Sequence, residues 1–266
     1  MRKSFIKNLV YVCVVVLAVS CSKDNDGAPV TQEITATQVQ TVVEIDNITG
    51  IADNIITDVF MDTTSATSKR SSQKQTDCYE GVYTDLGFTL TFDNCDGGSG
   101  HILDGTVSVS YEAGQDIITT FTATYTDFAV GDVLINGTRS FDFVYGQDAG
   151  SFSFDVTSNL TVVLENEDVV TLVGTQEFGF TIGANLESIV YTLSGDWTVT
   201  VNNDTYAVVV TETLEGDVSC TYLTSGVMSL SKNGLTVSVD FGDGECDDAA
   251  TLTYPDGTVE NITLDD

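Results

Sequence analysis

From Cys78 to the C-terminus, apolar residues alternate with threonine, serine and aspartate, and this period of two constrains the fold most strongly. Clear examples are FTLTF (88–92), TVSVSY (106–111), SFSFDV (151–156) and LTVSVDF (235–241). Such alternation places one set of side chains on each face of a β-strand. No proline occurs between Pro29 and Pro255, so every residue in this region keeps the backbone donor that a sheet requires.

Turn-forming residues separate the alternating runs and predict about twelve to fourteen strands in an antiparallel meander. The expected turns lie at Asn136-Gly137, Gly146 to Gly150, Asn202-Asn203-Asp204, Asn233-Gly234 and Asp256-Gly257. No segment between them is typical of a helix that crosses between parallel strands. We therefore predict an all-β fold, a large antiparallel meander forming a roll or a sandwich, with one N-terminal amphipathic helix.

That helix is expected over residues 38–62, where apolar residues recur at helical spacing. The repeating positions are Ile48, Ile51, Ile55 and Val59. Gly50 weakens the helix. Docking of the apolar stripe on the main fold is the simpler interpretation, and a partner-binding helix is the alternative.

Residues 1–20 have the composition of an export signal, with basic residues before an apolar run from Leu9 to Val19. That run is too short for a comfortable membrane span. The segment Leu17 to Cys21 resembles the lipobox of bacterial lipoproteins. The resemblance implies that Cys21 receives palmitate-type acyl groups and anchors the chain to a membrane. A simple secretory signal is the alternative.

The acidic run directly behind Cys21 belongs to an expected tether, residues 21–37. It resembles the signal that sends lipoproteins of the Bacteroidota to the outer face of the outer membrane, and so implies display toward the cell exterior. An ordinary flexible tether is the alternative. A second low-complexity segment, residues 63–76, predicts a linker between the helix and a β domain of residues 77–266.

The charge balance excludes one class of partner. Three of the nine basic residues lie in the signal, so the chain from Cys21 carries six basic and 40 acidic residues, a formal charge of −34. Such a charge repels phosphate backbones, and we expect no nucleic acid partner. It favours only diffuse attraction of divalent cations.

Four cysteines remain once Cys13 leaves with the signal and Cys21 takes the lipid. They are Cys78, Cys95, Cys220 and Cys246. An even number in an exported chain favours disulfides.

An internal repeat suggests how these cysteines pair. Residues 87–93 and 234–240 share a pattern of Gly, apolar, Thr, apolar, hydroxyl, apolar, Asp. In each copy a Cys-Asp pair follows, at Cys95 and Cys246, and the sequence DGTV comes further on. We interpret this as a hairpin unit used twice.

Residues that face each other in a hairpin have numbers with a constant sum. Pairing Cys78 with Cys95 centres the first hairpin between residues 86 and 87, and pairing Cys220 with Cys246 centres the second on its Asn-Gly turn. Both centres fall at glycine-containing turns. The prediction is two cross-strand disulfides, Cys78–Cys95 and Cys220–Cys246.

The stretch from Gly195 to Leu264 resembles the C-terminal half of surface lipoproteins of the Bacteroidota, of flavobacterial type. These carry a cysteine, a strand with a small residue and glycine, and then D-[FY]-G-x-G-x-C-D, which the segment from Asp240 to Asp247 matches. The first unit lacks these glycines at Asp93 to Asp96, so its turn is expected to differ. The resemblance implies the fold and an outer-membrane location, and it implies no activity.

The chain offers little for catalysis. His101 is its only histidine and lies in a glycine-rich loop, where a solvated side chain is the simpler interpretation. The cysteines are expected in disulfides, and acids are too numerous for any pair spacing to be diagnostic of a glycosidase. We expect no enzyme.

The densest group of acids lies in the stretch DFGDGECDD. The candidate calcium ligands are Asp240, Asp243, Glu245, Asp247 and Asp248. Their oxygens suit Ca²⁺, but the spacing differs from that of an EF-hand loop. Gly242 and Gly244 equally suit a bulge or turn before a disulfide. A calcium site and a turn held by a disulfide therefore both stay open as interpretations of this stretch. No other cofactor is expected.

Nine aromatic residues at alternating positions are expected to form sheet core, with a site for sugars or hydrophobic molecules as the alternative. They are Tyr111, Phe121, Tyr125, Phe141, Phe143, Phe152, Phe154, Tyr191 and Trp197.

Together these features predict a lipid-anchored outer-membrane protein with a non-enzymatic binding or structural role. An outer-membrane transporter or an extracellular glycan is the expected kind of partner. A surface glycan-binding or carbohydrate-active protein is the alternative.

Overall fold

The computed structural model describes residues 34–65, 73–75, 79–96, 101–111, 120–146, 150–183, 189–217 and 219–264. The predicted signal and Cys21 lie outside these residues. The described elements are α1 (Ala36–Ser65), β1 (Gln73–Gln75), β2 (Tyr79–Thr84), β3 (Gly87–Asp96), β4 (Ile102–Tyr111), β5 (Thr120–Val130), β6 (Val133–Tyr145), β7 (Ser151–Val163), β8 (Val169–Ile182), β9 (Ile189–Val201), β10 (Asp204–Asp217), β11 (Ser225–Lys232), β12 (Leu235–Asp243), β13 (Ala249–Thr253) and β14 (Val259–Thr263).

Each described strand pairs antiparallel with the next one in the sequence, so the sheet runs in the order β1 to β14. This confirms the predicted all-β antiparallel meander with one N-terminal helix. The fourteen strands fall at the upper end of the expected range because the three-residue strand Gln73–Gln75 adds to the edge at β2.

Alternation along the strands separates a buried face from an exposed one. In β12, Val237, Val239 and Phe241 are buried, whereas Thr236 and Asp240 are exposed. Side chains at alternate positions share one face of a strand. The buried positions of the described strands therefore combine into one apolar cluster, to which α1 also contributes.

Helix α1 begins with a reciprocal cap. The backbone N–H of Gln38 donates to Thr35 Oγ1 (3.3 Å), and the N–H of Thr35 donates to Gln38 Oε1 (3.1 Å). Val39 and Val42 follow on the buried side. The helix predicted at residues 38–62 is confirmed, with a few more residues at each end. No helix among the described residues has the length and apolarity needed to cross a membrane.

The sheet curls around the first half of α1. Gln40 Nε2 donates to the carbonyl of Thr263 on β14 (2.9 Å), and Gln176 Nε2 on β8 donates to Asp46 Oδ1 (3.3 Å). In a flat sheet β8 and β14 would lie about 29 Å apart. The helix rises only about 9 Å from Gln40 to Asp46. Because both strands reach this short stretch of helix, the sheet between them is strongly curved.

Glycines inside the strands allow this curvature. Gly105 in β4 has a φ of 90°, and a Cβ atom there would collide with the carbonyl oxygen of Asp127. The pairing of β4 with β5 shifts register at the same place. Gly137 in β6 has a φ of 120°, and its Cβ would collide with the carbonyl oxygen of Asn159. Such bulges and glycine kinks bend a sheet.

The turn predicted at Asn136-Gly137 is therefore wrong. Both residues lie inside β6, and the turn between β5 and β6 is Gly131-Asp132. The Asn136 side chain accepts a hydrogen bond from the backbone N–H of Asp127 (2.8 Å). An Asn-Gly pair can serve a strand irregularity as well as a hairpin turn, because both need positive φ.

The other predicted turns are present at the ends of described strands. They are Asn202-Asn203, Asn233-Gly234 and Asp256-Gly257. The turn predicted from Gly146 to Gly150 includes residues 147–149, which lie outside the described residues. Asp204 was expected in a turn and instead opens β10.

The repeated unit is only partly present. The first hairpin turns at Asp85-Leu86, one residue before its predicted centre, and the second turns at Asn233-Gly234. The downstream DGTV segments differ, because Asp104-Gly105 lies inside β4 whereas Asp256-Gly257 forms a turn. The repeat thus covers the two hairpins and not the strands that follow.

Two predicted segment boundaries also change. Residues 63–65 belong to α1 and Gln73–Gln75 forms β1, so the linker predicted at 63–76 is shorter. Ile34, in the tether predicted at 21–37, is buried in the core cluster. The chain therefore joins the core before the helix begins.

Candidate functional site

The acidic stretch from Asp240 to Asp248 forms the end of β12 and its connection to β13. Asp240 Oδ1 accepts a hydrogen bond from the backbone N–H of Gly242 (2.9 Å), and Asp247 Oδ1 accepts one from Ala249 (3.0 Å). In each case an aspartate bonds its own backbone two residues on, which is typical of a turn. Two of the acids thus shape this connection at residues 240–248, which we call the acidic corner.

A disulfide between Cys220 and Cys246 pins this corner, with Cα atoms 5.6 Å apart. The predicted pairing is present, but its description as cross-strand is wrong, because neither cysteine lies in a strand. The hairpin of β11 and β12 is centred between Asn233 and Gly234, half a residue from the centre of the cysteine pair. The bond therefore joins the β10–β11 connection to the β12–β13 connection.

The first hairpin also carries a disulfide. Cys95 on β3 is buried and disulfide-bonded. Its predicted partner, Cys78, lies outside the described residues.

The predicted calcium ligands do not assemble into a metal site. Four of them, Asp240, Asp243, Glu245 and Asp247, line a pocket of about 90 Å³, and Asp248 does not. In the described part of the chain, no group of three or more His, Cys, Asp or Glu side chains is arranged to hold a metal ion. The geometry supports the pinned turn and gives no support to calcium.

The predicted solvated histidine, His101, is exposed at the start of β4. The aromatic residues expected in the core divide into two groups. Phe121, Tyr125, Phe141 and Trp197 are buried, whereas Tyr111, Phe143, Phe152, Phe154 and Tyr191 are only half-buried. The half-buried phenylalanines lie beside a polar site that the sequence reasoning missed.

That site is built around Arg139. The sequence from residue 77 to 266 contains only two basic residues, Arg139 and Lys232, and both are buried. Arginine and lysine are rarely fully buried without a partner. Their position inside an acidic domain marks two places where the fold holds an anion or strong acceptors.

Arg139 on β6 meets the helix through Gln176 on β8. Arg139 Nη2 donates to Gln176 Oε1 (3.0 Å), and Gln176 Nε2 donates to Asp46 Oδ1 (3.3 Å). The guanidinium carbon lies 5.9 Å from the ring centre of Phe141 and 5.7 Å from that of Phe178. Both distances suit cation–π contact, which is strongest away from water. We call the half-buried Asp46 together with the buried Gln176 and Arg139 the triad.

Asp46 has unusual acid–base behaviour. Loss of hydration around its carboxyl group is the largest effect and raises its pKa from 3.8 to about 7. The charge of Arg139 and the hydrogen bond from Gln176 act in the opposite direction but do not outweigh it. The helix thus brings to Arg139 a carboxyl group that changes charge near neutral pH.

Arg139 also belongs to a row of inward-facing positions across four strands. Arg139 pairs with Ser158 on β7, Ser158 pairs with Gly174 on β8, and Gly174 pairs with Trp197 on β9. We call these four residues the polar row. Ser158 is 1% exposed and Trp197 is 2% exposed. Among the described residues, Ser158 Oγ and Trp197 Nε1 have no hydrogen-bond partner.

Beyond the polar row, the same face becomes aromatic toward the strand ends. Between β6 and β7, Phe141 pairs with Val156, Phe143 with Phe154 and Tyr145 with Phe152. Between β7 and β8, Phe154 pairs with Phe178 and Phe152 with Phe180. Ring centres lie 5.3 Å apart for Phe143 and Phe154, and 5.1 Å for Phe152 and Phe180. We call Phe141, Phe143, Phe152, Phe154, Phe178 and Phe180 the aromatic face.

Exposure rises steadily along this face. Arg139 is 1% exposed, Phe141 is buried, Phe143 is half-buried and Tyr145 is 69% exposed. The six residue steps from Arg139 to Tyr145 span about 20 Å of strand. A graded apolar path thus leads from solvent to buried donors.

The second buried cation provides a contrast. Lys232 Nζ lies 2.6 Å from Asp204 Oδ2 and donates to Tyr206 Oη at 3.4 Å. Burial lowers the pKa of Lys232, but hydrogen bonds and charge contacts with these partners outweigh burial and raise it. The lysine is therefore satisfied within the fold.

No family model, curated protein or solved structure matches the chain. The resemblance to surface lipoproteins of the Bacteroidota therefore stays a prediction.

One signal in the sequence could have found Arg139. It stands at the same parity as Phe141 and Phe143 within the alternating segment of β6, which places it on the buried face. The meeting with Asp46 and Gln176 has no local signal, because it depends on how the helix lies across the sheet.

Proposed function

We propose that this protein is a lipid-anchored, non-enzymatic binding protein of the outer membrane that takes an apolar ligand on its curved inner face. The observation that carries the proposal is the graded aromatic face. Half-buried phenylalanines that continue a buried core toward solvent are typical of a binding site, since contiguous exposed apolar surface is otherwise disfavoured.

The anchor is the second part of the proposal. Acylation at Cys21 would attach the chain to the membrane 15 residues before α1, which begins at Ala36. We propose that the protein faces the cell exterior and works beside an outer-membrane transporter.

Two measurements test this function. Metabolic labelling with palmitate should mark the wild-type chain and leave the Cys21→Ala variant unlabelled, and protease added to intact cells should digest the labelled protein. N-phenyl-1-naphthylamine, a neutral apolar probe, should bind the purified full chain saturably and show enhanced fluorescence. An unlabelled wild type would contradict the anchor, and a lack of saturable probe binding would contradict the apolar site.

A glycan-binding or carbohydrate-active role is the alternative proposal. In the described part of the inner face, the phenylalanines are accompanied by a single carboxyl group, that of Asp46 on the helix. The paired carboxylates that a glycosidase needs are not found beside the rings among the described residues. Saturable binding of a surface glycan with no binding of the neutral apolar probe would favour the alternative.

A further inference from the structure

We infer that the inner face binds a long-chain carboxylate, with its head group at the polar row and its chain along the aromatic face, and that Asp46 of α1 occupies the head-group position in the free protein. This inference rests on the proposed apolar binding function and specifies the chemical class of the ligand.

The fold already holds a carboxyl group near Arg139. Asp46 reaches Arg139 through Gln176, so this carboxyl group lies one amide away from the buried cation. It comes from the helix and not from the sheet that carries Arg139. A carboxylate supplied by another molecule has the same chemistry and charge. The carboxyl group of Asp46 therefore stands in for the carboxylate head group of the ligand.

Two buried donors of the polar row have no partner. Ser158 Oγ, on the strand next to Arg139, and Trp197 Nε1, three strands from Arg139, are almost completely buried and have no hydrogen-bond partner among the described residues. A buried donor without a partner is costly to folding. Both groups donate hydrogen bonds, and a carboxylate accepts several. The polar row thus holds two buried donors that no described residue uses.

The path beyond the polar row has almost no polar lining. From Phe141 outward, the inner positions of β6, β7 and β8 are apolar or aromatic up to the strand ends, apart from Gln176. A sugar or peptide would require polar partners along this path. A hydrocarbon chain requires only apolar surface, and about 20 Å of strand accommodates a long one.

The acidic outer surface of the protein should affect how fast an anionic ligand associates. With Arg139 and Lys232 both buried, residues 77–266 present no arginine or lysine side chain on the outside. An anionic ligand is repelled at long range and attracted only once it reaches Arg139. Salt screens the long-range repulsion more than the buried attraction, so association should become faster as ionic strength rises.

The test uses the full chain with Cys21→Ser, so that no acyl group of its own competes. Dansyl-undecanoate is the probe, and energy transfer from Trp197, the chain's only tryptophan, reports binding. Laurate and lauryl alcohol, which share the chain and differ in the head, then compete for the site. Laurate should displace the probe at about tenfold lower concentration, because a charge-assisted hydrogen bond is stronger than a neutral one.

Two variants, compared with one matched control, separate a binding role of the polar row and Asp46 from a structural role. Ser158→Ala should weaken laurate binding about threefold or more through loss of one donor, while folding at least as well as the wild type because it removes an unpartnered hydroxyl. Thr157→Ala, exposed on the opposite face of β7, is the matched control and should bind normally. Asp46→Asn should strengthen laurate binding severalfold, since the competing carboxylate is gone.

Each failure has a distinct meaning. Equal competition by laurate and lauryl alcohol would overturn the carboxylate inference and leave the proposed apolar site intact. Weaker laurate binding by Asp46→Asn would overturn the head-group role of Asp46. No binding of dansyl-undecanoate in a protein that still binds N-phenyl-1-naphthylamine would overturn the inference alone, and failure of both probes would overturn the proposed function as well.

Discussion

Asp46 on α1 and Arg139 on β6 are joined by one amide, because the Gln176 side chain accepts from Arg139 and donates to Asp46. This bridge fixes where the helix crosses the curved sheet. Breaking a buried charge pair by removing one partner leaves the other charge uncompensated. The stability of the fold and the state of the proposed site therefore depend on the same three side chains.

Replacement of Asp46 by Asn should change how stability depends on pH. The folded-state pKa of about 7 exceeds the ordinary value of 3.8, so between these values the folded chain keeps a proton that the unfolded chain releases. The stabilisation is fully present below about pH 4 and is lost as pH rises through 7. From pH 5 to pH 8, the free energy of unfolding of the wild type should fall by about 3 kcal/mol relative to D46N.

Urea denaturation followed by Trp197 fluorescence measures this difference. D155N, at an exposed position of β7, is the matched control and should follow the wild type at every pH. Parallel profiles for the wild type and D46N would show that the carboxyl group of Asp46 is not desolvated in the folded chain.

Replacement of Arg139 by Met should destabilise the protein in a pH-dependent manner. At pH 8 the ionised Asp46 would lose its compensating charge, and the free energy of unfolding should drop by about 3–5 kcal/mol. At pH 5 Asp46 is protonated and the loss should be clearly smaller. The double variant R139M/D46N should recover part of the stability at pH 8. An identical loss at both pH values, with no recovery, would argue that Arg139 acts through packing alone.

Two glycines of positive φ should respond differently to alanine. Gly137 has no room for a Cβ, which would collide with the carbonyl oxygen of Asn159, whereas Gly234 has nothing within 4 Å. Gly234→Ala should therefore cost only the backbone strain, about 1 kcal/mol. Gly137→Ala should cost clearly more, about 3 kcal/mol, because the strand pairing must also shift. Thermal unfolding compares them, and equal costs would contradict the role of Gly137 in bending the sheet.

These glycines also show where sequence reasoning succeeds and fails. The strands were predictable because one buried face imposes a period of two, as Val237, Val239 and Phe241 demonstrate. The Asn136-Gly137 turn was mispredicted because a bulge and a hairpin turn place the same demand on φ. The local sequence indicates that a positive φ is needed, but it does not indicate which strand lies opposite.

The candidate site was less predictable than the fold. Four phenylalanines of the aromatic face, Phe141, Phe143, Phe152 and Phe154, are predicted as core, with a site for sugars or hydrophobic molecules as the alternative. Alternation does not decide between these, because it does not show which end of a strand stays half-exposed. Arg139, Gln176 and Asp46 come from three elements far apart in the chain. Their meeting follows from the curvature of the sheet around α1, which no local pattern encodes.

Removal of the disulfide at the acidic corner should destabilise the fold without affecting binding. Cys220 and Cys246 are 26 residues apart in sequence, and closing such a loop is worth about 3 kcal/mol in the chain-entropy model. The double variant C220A/C246A should lose about that much free energy of unfolding. Dansyl-undecanoate should bind it as it binds the Cys21→Ser chain. A large loss of binding would place the acidic corner in the ligand site.

The most direct test of the account is the pKa of Asp46 with and without ligand, measured from the ¹³C chemical shift of its carboxyl carbon. The free protein should titrate near pH 7. With saturating laurate, the ligand's head should displace the helix carboxyl group into water, and its pKa should fall to about 4. A pKa that stays near 7 in the laurate-saturated protein would contradict the claim that Asp46 occupies the ligand's position.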